Sequence, residues 1–148
     1  MKNVVITGSS QGIGFGLANE FLKRSCRVML SARSEKRLEQ ARSRLAATYG
    51  ADMVAACPCD VTEYRKVMAL WDAALAAFQK VDIWINNAGI MNTTLKYWEL
   101  DPAEIAPVVT TNILGVMYGS RVALQGMIAQ GSGQIYNLEG MGSNDSMR

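Results

Sequence analysis

The chain contains no histidine in 148 residues. That absence excludes a Ser-His-Asp hydrolase, a histidine general base and any zinc site that needs imidazole. Proton chemistry must fall to Tyr, Lys, Ser, Asn, carboxylates or a bound cofactor. Cysteine is scarce and odd in number: Cys26, Cys57 and Cys59. With no secretory leader before the first apolar run, three cysteines at poor metal spacing are expected to be reduced thiols and not a disulfide framework or metal site. Cys57-Pro58-Cys59 reads as a strand end with small buried residues. No apolar run approaches membrane-spanning length, so no membrane span is expected. A net charge of +2 gives no basis for expecting nucleic acid or an anionic membrane as a partner. The basic cluster from Arg33 to Arg44 is interleaved with Glu35 and Glu39 at helical spacing, as on a solvated helix face.

What is present is an apolar half and a set of glycine turns. Hydrophobic residues make up 49% of the chain, enough for one globular domain with a proper core. The stretch Val4-Val5-Ile6-Thr7-Gly8-Ser9-Ser10-Gln11-Gly12-Ile13-Gly14 begins as a run suited to a strand buried on both faces. It breaks at Gly8 and passes into a helical pattern at Ile13. Strand, glycine turn and helix start place backbone N–H groups and a positive helix end against a phosphate. The spacing G-x-x-x-G-x-G is neither the G-x-G-x-x-G fingerprint nor a P-loop. A ligand-free βα turn explains the same residues, and the rest of the chain must decide.

Strands are predicted at Lys2–Thr7, Arg27–Ala32, Met53–Cys57, Ile83–Asn86 and Gln134–Leu138. Helices are predicted at Ile13–Arg24, with Ile13, Leu17, Phe21 and Leu22 as its apolar stripe, from Ser34 to Tyr49, and from a Thr62 cap to Gln79. A long helical region runs from an Asp101-Pro102-Ala103-Glu104 start to Ala129, with a kink expected at Pro107. Gly115 and Gly119 mark close helix packing or a second irregularity. Five alternations of strand and helix predict an α/β fold with a doubly wound parallel sheet of the Rossmann type. The whole chain, residues 1–148, reads as one dinucleotide-binding domain. Ligands in such sheets lie at the carboxyl ends of the strands, where the motifs fall.

Four motifs carry a resemblance to a known family: Thr7-Gly8-Ser9-Ser10-Gln11-Gly12-Ile13-Gly14, Cys59-Asp60-Val61-Thr62, Asn86-Asn87-Ala88-Gly89 and Thr111-Asn112. In this order, over the whole chain, they resemble the classical short-chain dehydrogenases/reductases. The resemblance implies a nicotinamide cofactor. Gly8, Gly12 and Gly14 would hold its pyrophosphate, together with the turn residues Ser9, Ser10 and Ile13. Asp60 would receive the adenine amino group, with Val61 beside the ring. Asn86, Ala88 and Gly89 would line the ribose of the nicotinamide half and brace the central strand. Asn112 would interrupt the long helix and hold a water of the proton relay. Each has a plainer role available: Asp60 as a helix cap, the asparagines as turn formers, Asn112 as a surface residue.

The end of the second strand, Ser31-Ala32-Arg33-Ser34, carries no acid to receive both ribose hydroxyls of NAD. Arg33 and Ser34, with Arg37 nearby, suit a 2′-phosphate, so NADP(H) is expected, although Gln11 lacks the basic side chain often found in NADP-binding relatives. The family's serine after the fifth strand falls at Gly140, leaving Ser143 as the candidate hydroxyl. The Tyr-x-x-x-Lys acid/base pair would lie past Arg148, which reads as a fragment of a longer reductase. Asp82–Gly89, Thr111–Gly115 and Asn137–Ser143 look most like the chlorophyll b reductase branch, which implies reduction of a formyl group to an alcohol. Two other readings compete: a non-catalytic NADP-binding module, and a reductase of a sugar, polyketide or acyl carbonyl. A homo-oligomer through the long helices and a cytoplasmic or stroma-like compartment complete the expectations.

Overall fold

The computed structural model describes residues 1–91 and 96–139. Five parallel strands form one sheet in the order β3-β2-β1-β4-β5. They are β1 (Asn3–Thr7), β2 (Arg27–Ala32), β3 (Val54–Pro58), β4 (Ile83–Asn86) and β5 (Gln134–Asn137). The helices between them are α1 (Gly12–Lys23), α2 (Glu35–Tyr49), α3 (Tyr64–Phe78), α4 (Pro102–Val109) and α5 (Gly115–Gln130). The predicted α/β class and doubly wound sheet are therefore present.

The apolar strands are buried on both faces because helices cover both. Val4 and Ile6 of β1 pack with Val28 and Leu30 of β2 under α1 and α2, against Ala18, Leu22, Leu38 and Leu45. Val5, Met29 and Trp84 point the other way, into Val67, Leu70 and Trp71 of α3 and Val122, Ala123 and Met127 of α5. Alternate residues of one strand thus feed two cores, which is why the strands read as unbroken apolar runs.

Several boundaries differ from expectation, each for a local reason. Met53 belongs to a short 3₁₀ turn, Ala51–Met53, so β3 starts at Val54. Thr62 does not cap α3: its hydroxyl is donated to Asp60 Oδ1 at 2.8 Å, and the cap position falls to Glu63. Ile13 is not part of the α1 stripe. It is 70% exposed, and the buried face of α1 is Gly14, Ala18 and Leu22. The start of α4 is as predicted, with Asp101 accepting from Ala103 N at 2.8 Å and Pro102 in the first turn. The long helix changes register at a π-turn, Thr110–Leu114, and not at Pro107, which lies within α4. Wide turns of this kind recur at functional sites.

The glycines of α5 are close-packing positions. A Cβ on Gly115 would come within 2.7 Å of Val61 Cγ2, and one on Gly119 would collide with the Asn86 carboxamide. The sheet order places β1 between β2 and β4, so the chain leaves β1 and β4 toward opposite sides. A crevice opens there at the carboxyl ends of the strands.

Candidate dinucleotide site

A cleft of about 390 Å³ occupies that crevice. Its floor is the turn between β1 and α1. Gly8 has φ +65°, and a Cβ there would sit 2.7 Å from Ala88 Cα. Gly12 has φ +59° and open space where its side chain would be. Both therefore need glycine, one for close approach and both for the left-handed backbone. The residue before α1, Gln11, places no side-chain cap on the helix start. The first N–H groups of α1 thus face the cleft without a side-chain partner, a ready seat for an anion.

The turn is held from two sides. Ser9 extends the β1–β2 ladder: its N–H donates to Ser31 O at 2.9 Å, and its Oγ accepts from Ser31 N at 2.9 Å. That hydroxyl also donates to Ile6 O at 2.8 Å, and the residue is fully buried. From the other side, Asn87 donates through Nδ2 to Thr7 O (2.8 Å) and Gly8 O (3.0 Å). Thr7 Oγ1 accepts the N–H groups of Asn87 and Ala88, each at 3.0 Å. Gly14 has no Cβ because that space holds the Asn87 amide.

Of the residues singled out in the sequence, Gly8, Ser10, Gly12, Ile13, Gly14, Arg33, Ser34, Asp60, Val61, Ala88 and Gly89 all line this cleft. Two do not. Ser9 faces the sheet interior, because its hydroxyl replaces a ladder bond between β1 and β2. Asn86 is only 3% exposed, and its amide turns away from the cleft toward α5 and β5. Asn112 lies beside the cleft in the π-turn, where its Oδ1 accepts from Ile90 N and one of its amide protons goes to Ile90 O. Ser143 and Gly140 lie outside the described residues.

Sequence reasoning left Cys59, Asn87, Ile90 and Thr111 off the site, though all four line it. Cys59, Asn87 and Thr111 stood inside quoted motifs, so position relative to a strand or helix end was the usable signal. Ile90 carries no such signal, being the apolar neighbour of a turn.

The cleft is electrostatically polarised. Arg33, just after β2, and Arg37, in the first turn of α2, are both exposed, and among the described residues neither is in an ion pair. Asp60 is the one carboxylate in the lining. Burial pushes its pKa up, but donation from Thr62 N and Oγ and the charges of Arg33 and Lys66 outweigh this. The net effect holds it below the ordinary aspartate value. Cys59 is pushed up to about 12 by burial, with the neighbouring Cys57 adding to it, so its thiol stays protonated at neutral pH. The lining also includes the apolar side chains of Ile13 and Ile90.

The short-chain dehydrogenase family model matches residues 2–147. The chain belongs to this oxidoreductase family. Its curated relatives include the chloroplastic chlorophyll(ide) b reductase NOL of Oryza sativa, 42% identical over 144 residues, and that of Arabidopsis thaliana, 40% identical over 144 residues. The alignment covers 96% of this chain in both cases. The chain spans 42% and 41% of those relatives' lengths. The likeness to the chlorophyll b reductase branch seen in the motifs is thus borne out. Among solved structures, actinorhodin polyketide ketoreductase with NADPH superposes with a TM-score of 0.88 at 29% identity. The match covers 99% of this chain and 56% of the ketoreductase. A short-chain dehydrogenase from Burkholderia phymatum in complex with NAD gives 0.84 at 33% identity, over 92% of this chain and 48% of that one. A nicotinamide cofactor is common to these neighbours. No helix among the described residues is long and apolar enough to cross a membrane.

Proposed function

We propose that this chain is the dinucleotide-binding domain of an NADP(H)-dependent reductase that converts a carbonyl, here a formyl group of a chlorophyll b-type ring, to an alcohol. The observation that carries the cofactor choice is the end of β2: Arg33 and Arg37 stand in the lining with no carboxylate from that strand end beside them. A 2′-phosphate would be met there by two guanidinium groups, whereas a bare ribose would find no carboxylate at that strand end for its hydroxyls. The residues present fit the group. The positive-φ glycines admit close approach, the α1 N-terminus faces the diphosphate, and Asp60 offers an acceptor to the adenine amino group.

The cofactor supplies the hydride; the chain's own residues bind and orient. Ala88 and Gly89 line the path toward the nicotinamide half, and Ile13 and Ile90 present an apolar wall at that end. Asn112 fixes the π-turn against Ile90, and its second amide proton and the turn's main-chain carbonyls are the groups suited to hold a relay water. Ser143 is assigned the hydroxyl that polarises the carbonyl oxygen.

Support for the substrate class comes from the chlorophyll(ide) b reductase relatives; the polyketide ketoreductase likeness favours an acyl carbonyl as the second reading. The test is NADPH consumption with a chlorophyll bearing the formyl group, beside an acyl ketone and a sugar. Turnover of the formyl compound alone supports the first reading, and turnover of the acyl ketone alone replaces it. NADPH binding with no turnover of any of the three leaves a non-catalytic module.

We also assign the outer face of the π-turn and α5 to a second copy of the chain. Ile113, Met117, Leu124 and Ile128 are all more than half exposed, at spacings of four, seven and four. The pattern reads the same in both directions, which suits a two-fold antiparallel helix pair. The relatives above are named as chloroplastic. We accordingly place this chain in a stroma-like compartment, or in the cytoplasm of a bacterial host.

A further inference from the structure

Two threonines open the π-turn, and only one of them finds a partner for its hydroxyl. Thr110 donates through Oγ1 to Ala106 O, four residues back, at 2.7 Å. That is the ordinary resting place of a hydroxyl on a helix. Thr111 is only 7% exposed, yet its hydroxyl makes no hydrogen bond among the described residues. A buried hydroxyl without a partner is disfavoured and calls for a reason. Here the reason is the wall it stands in, since Thr111 lines the dinucleotide cleft.

Its place along the cleft follows from its neighbours on the turn. Gly115, four residues on, lies so close to Val61 that an added Cβ would meet Val61 Cγ2 at 2.7 Å. Asn112, the next residue, has its Oδ1 3.4 Å from where a Cβ on Gly89 would stand. Thr111 therefore faces the stretch between Val61 and Gly89. With adenine at Asp60 and Val61, and the nicotinamide half toward Ala88 and Gly89, the group between them is the adenosine ribose.

That sugar lacks its usual acceptor in this chain. In many dinucleotide folds a carboxylate at the end of the second strand receives the ribose hydroxyls, and here Arg33 stands instead. Asp60 Oδ1 already accepts from Thr62 N at 3.0 Å and Thr62 Oγ1 at 2.8 Å. A threonine hydroxyl can both donate and accept, so it can pair with a sugar hydroxyl in either sense.

We infer that Thr111 is a cofactor-binding residue whose Oγ1 hydrogen-bonds the 3′-hydroxyl of the adenosine ribose. The inference rests on a dinucleotide occupying the cleft, but not on which one. The 3′-hydroxyl is free in both NADPH and NADH.

The experiment compares wild type with Thr111→Val, which keeps the shape and removes the hydroxyl, and Thr111→Ser, which keeps the hydroxyl. Kd is read by calorimetric titration with NADPH, NADH and ADP, the last carrying this ribose and no second sugar. Urea midpoints are read without ligand. In Thr111→Val all three ligands should weaken by about three- to tenfold, the range of one hydrogen bond. Thr111→Ser should stay within about twofold of wild type. The unliganded midpoint of Thr111→Val should not fall, because the hydroxyl removed has no partner in the protein. A midpoint that falls would overturn the inference by giving the hydroxyl a structural role. So would a loss of affinity confined to the dinucleotides and absent with ADP, which would move the contact to the nicotinamide half. A Thr111→Ser as weak as Thr111→Val would assign the effect to the methyl group and overturn it as well. Should Thr111→Val fail to fold, Thr111→Ala decides by the same readings. Wild type that binds neither dinucleotide would defeat the dinucleotide reading and this inference with it. Wild-type binding that Thr111→Val leaves intact would sink the inference alone.

Discussion

Asn112 grips both main-chain groups of Ile90: its Oδ1 accepts from Ile90 N at 2.9 Å, and its Nδ2 donates to Ile90 O at 2.8 Å. One side chain thus stands in for a strand partner and ties the π-turn to the wall of the cleft. Asn112→Ala removes both bonds from an exposed site, where each contributes at the low end of about 0.5–1.5 kcal/mol. We expect a loss of about 1–2 kcal/mol in urea unfolding and a weaker NADPH Kd, since Ile90 lines the cleft. A Kd unchanged beside a stability loss would confine Asn112 to the fold.

Arg33→Ala tests the cofactor choice. Charge-assisted hydrogen bonds of the kind proposed contribute about 1.5–3 kcal/mol, or roughly ten- to a hundredfold in affinity. NADPH binding should weaken by that factor while NADH binding barely changes. Equal affinities for the two cofactors in wild type would defeat the assignment.

The depressed pKa of Asp60 predicts an acid-sensitive increment of stability. A carboxylate whose folded pKa lies below its ordinary value of 3.8 stabilises the fold fully above that value. The increment is lost as pH falls through the lower, folded pKa. Asp60→Asn should flatten the fall in urea midpoint below about pH 4 and leave the midpoint near neutrality lower than in wild type. A wild-type and variant pair with parallel acid limbs would show that Asp60 has no special partner in solution.

The cysteines should differ in reactivity. Cys59 is buried with its pKa pushed up to about 12, and burial raises Cys57 as well, though Cys57 is half-exposed. Mild alkylation at neutral pH should modify Cys57 slowly and Cys59 only after unfolding. NADPH should protect Cys59 further, since it lines the cleft. Rapid labelling of Cys59 in the native protein would contradict its burial.

Gly119→Ala should be among the more damaging small substitutions on α5. The added methyl meets the Asn86 amide and lies 3.1 Å from Trp84 Nε1, so it both overpacks and breaks a buried hydrogen bond. A loss of about 2–4 kcal/mol is expected from the two effects. Ala at Gly131, which has open space around it, would cost only the strain of its left-handed φ.

Much of this fold was legible because its signals are local. Apolar runs at Val4–Ile6 and Val28–Leu30, the Ser34 and Asp101 caps, and glycine at the ends of α2 and α5 each act within one turn of chain. The site was legible where motif and strand end coincide, as at Gly8–Gly14 and Asp60. What escaped was direction. Nothing in Asn86-Asn87 says which amide enters the cleft; that follows from strand alternation and from Trp84 two residues earlier on the same face. Ser9 escaped for the same reason, since its hydroxyl replaces a ladder bond to β2 that only the assembled sheet reveals. The π-turn at Thr110–Leu114 falls where the resemblance put the interruption, at Asn112, whereas the residue pattern alone pointed to Pro107, the more obvious breaker nearby.

The bracing of the glycine turn by Ser9 on one flank and Asn87 on the other has a consequence for how a ligand arrives. A loop of small residues left to itself would order only around the anion, and binding would bear that entropy. Here the ordering cost falls on folding, when β1, β2 and β4 come together. The nucleotide therefore meets a preorganised seat, and capture should proceed without a slow conformational step ahead of it.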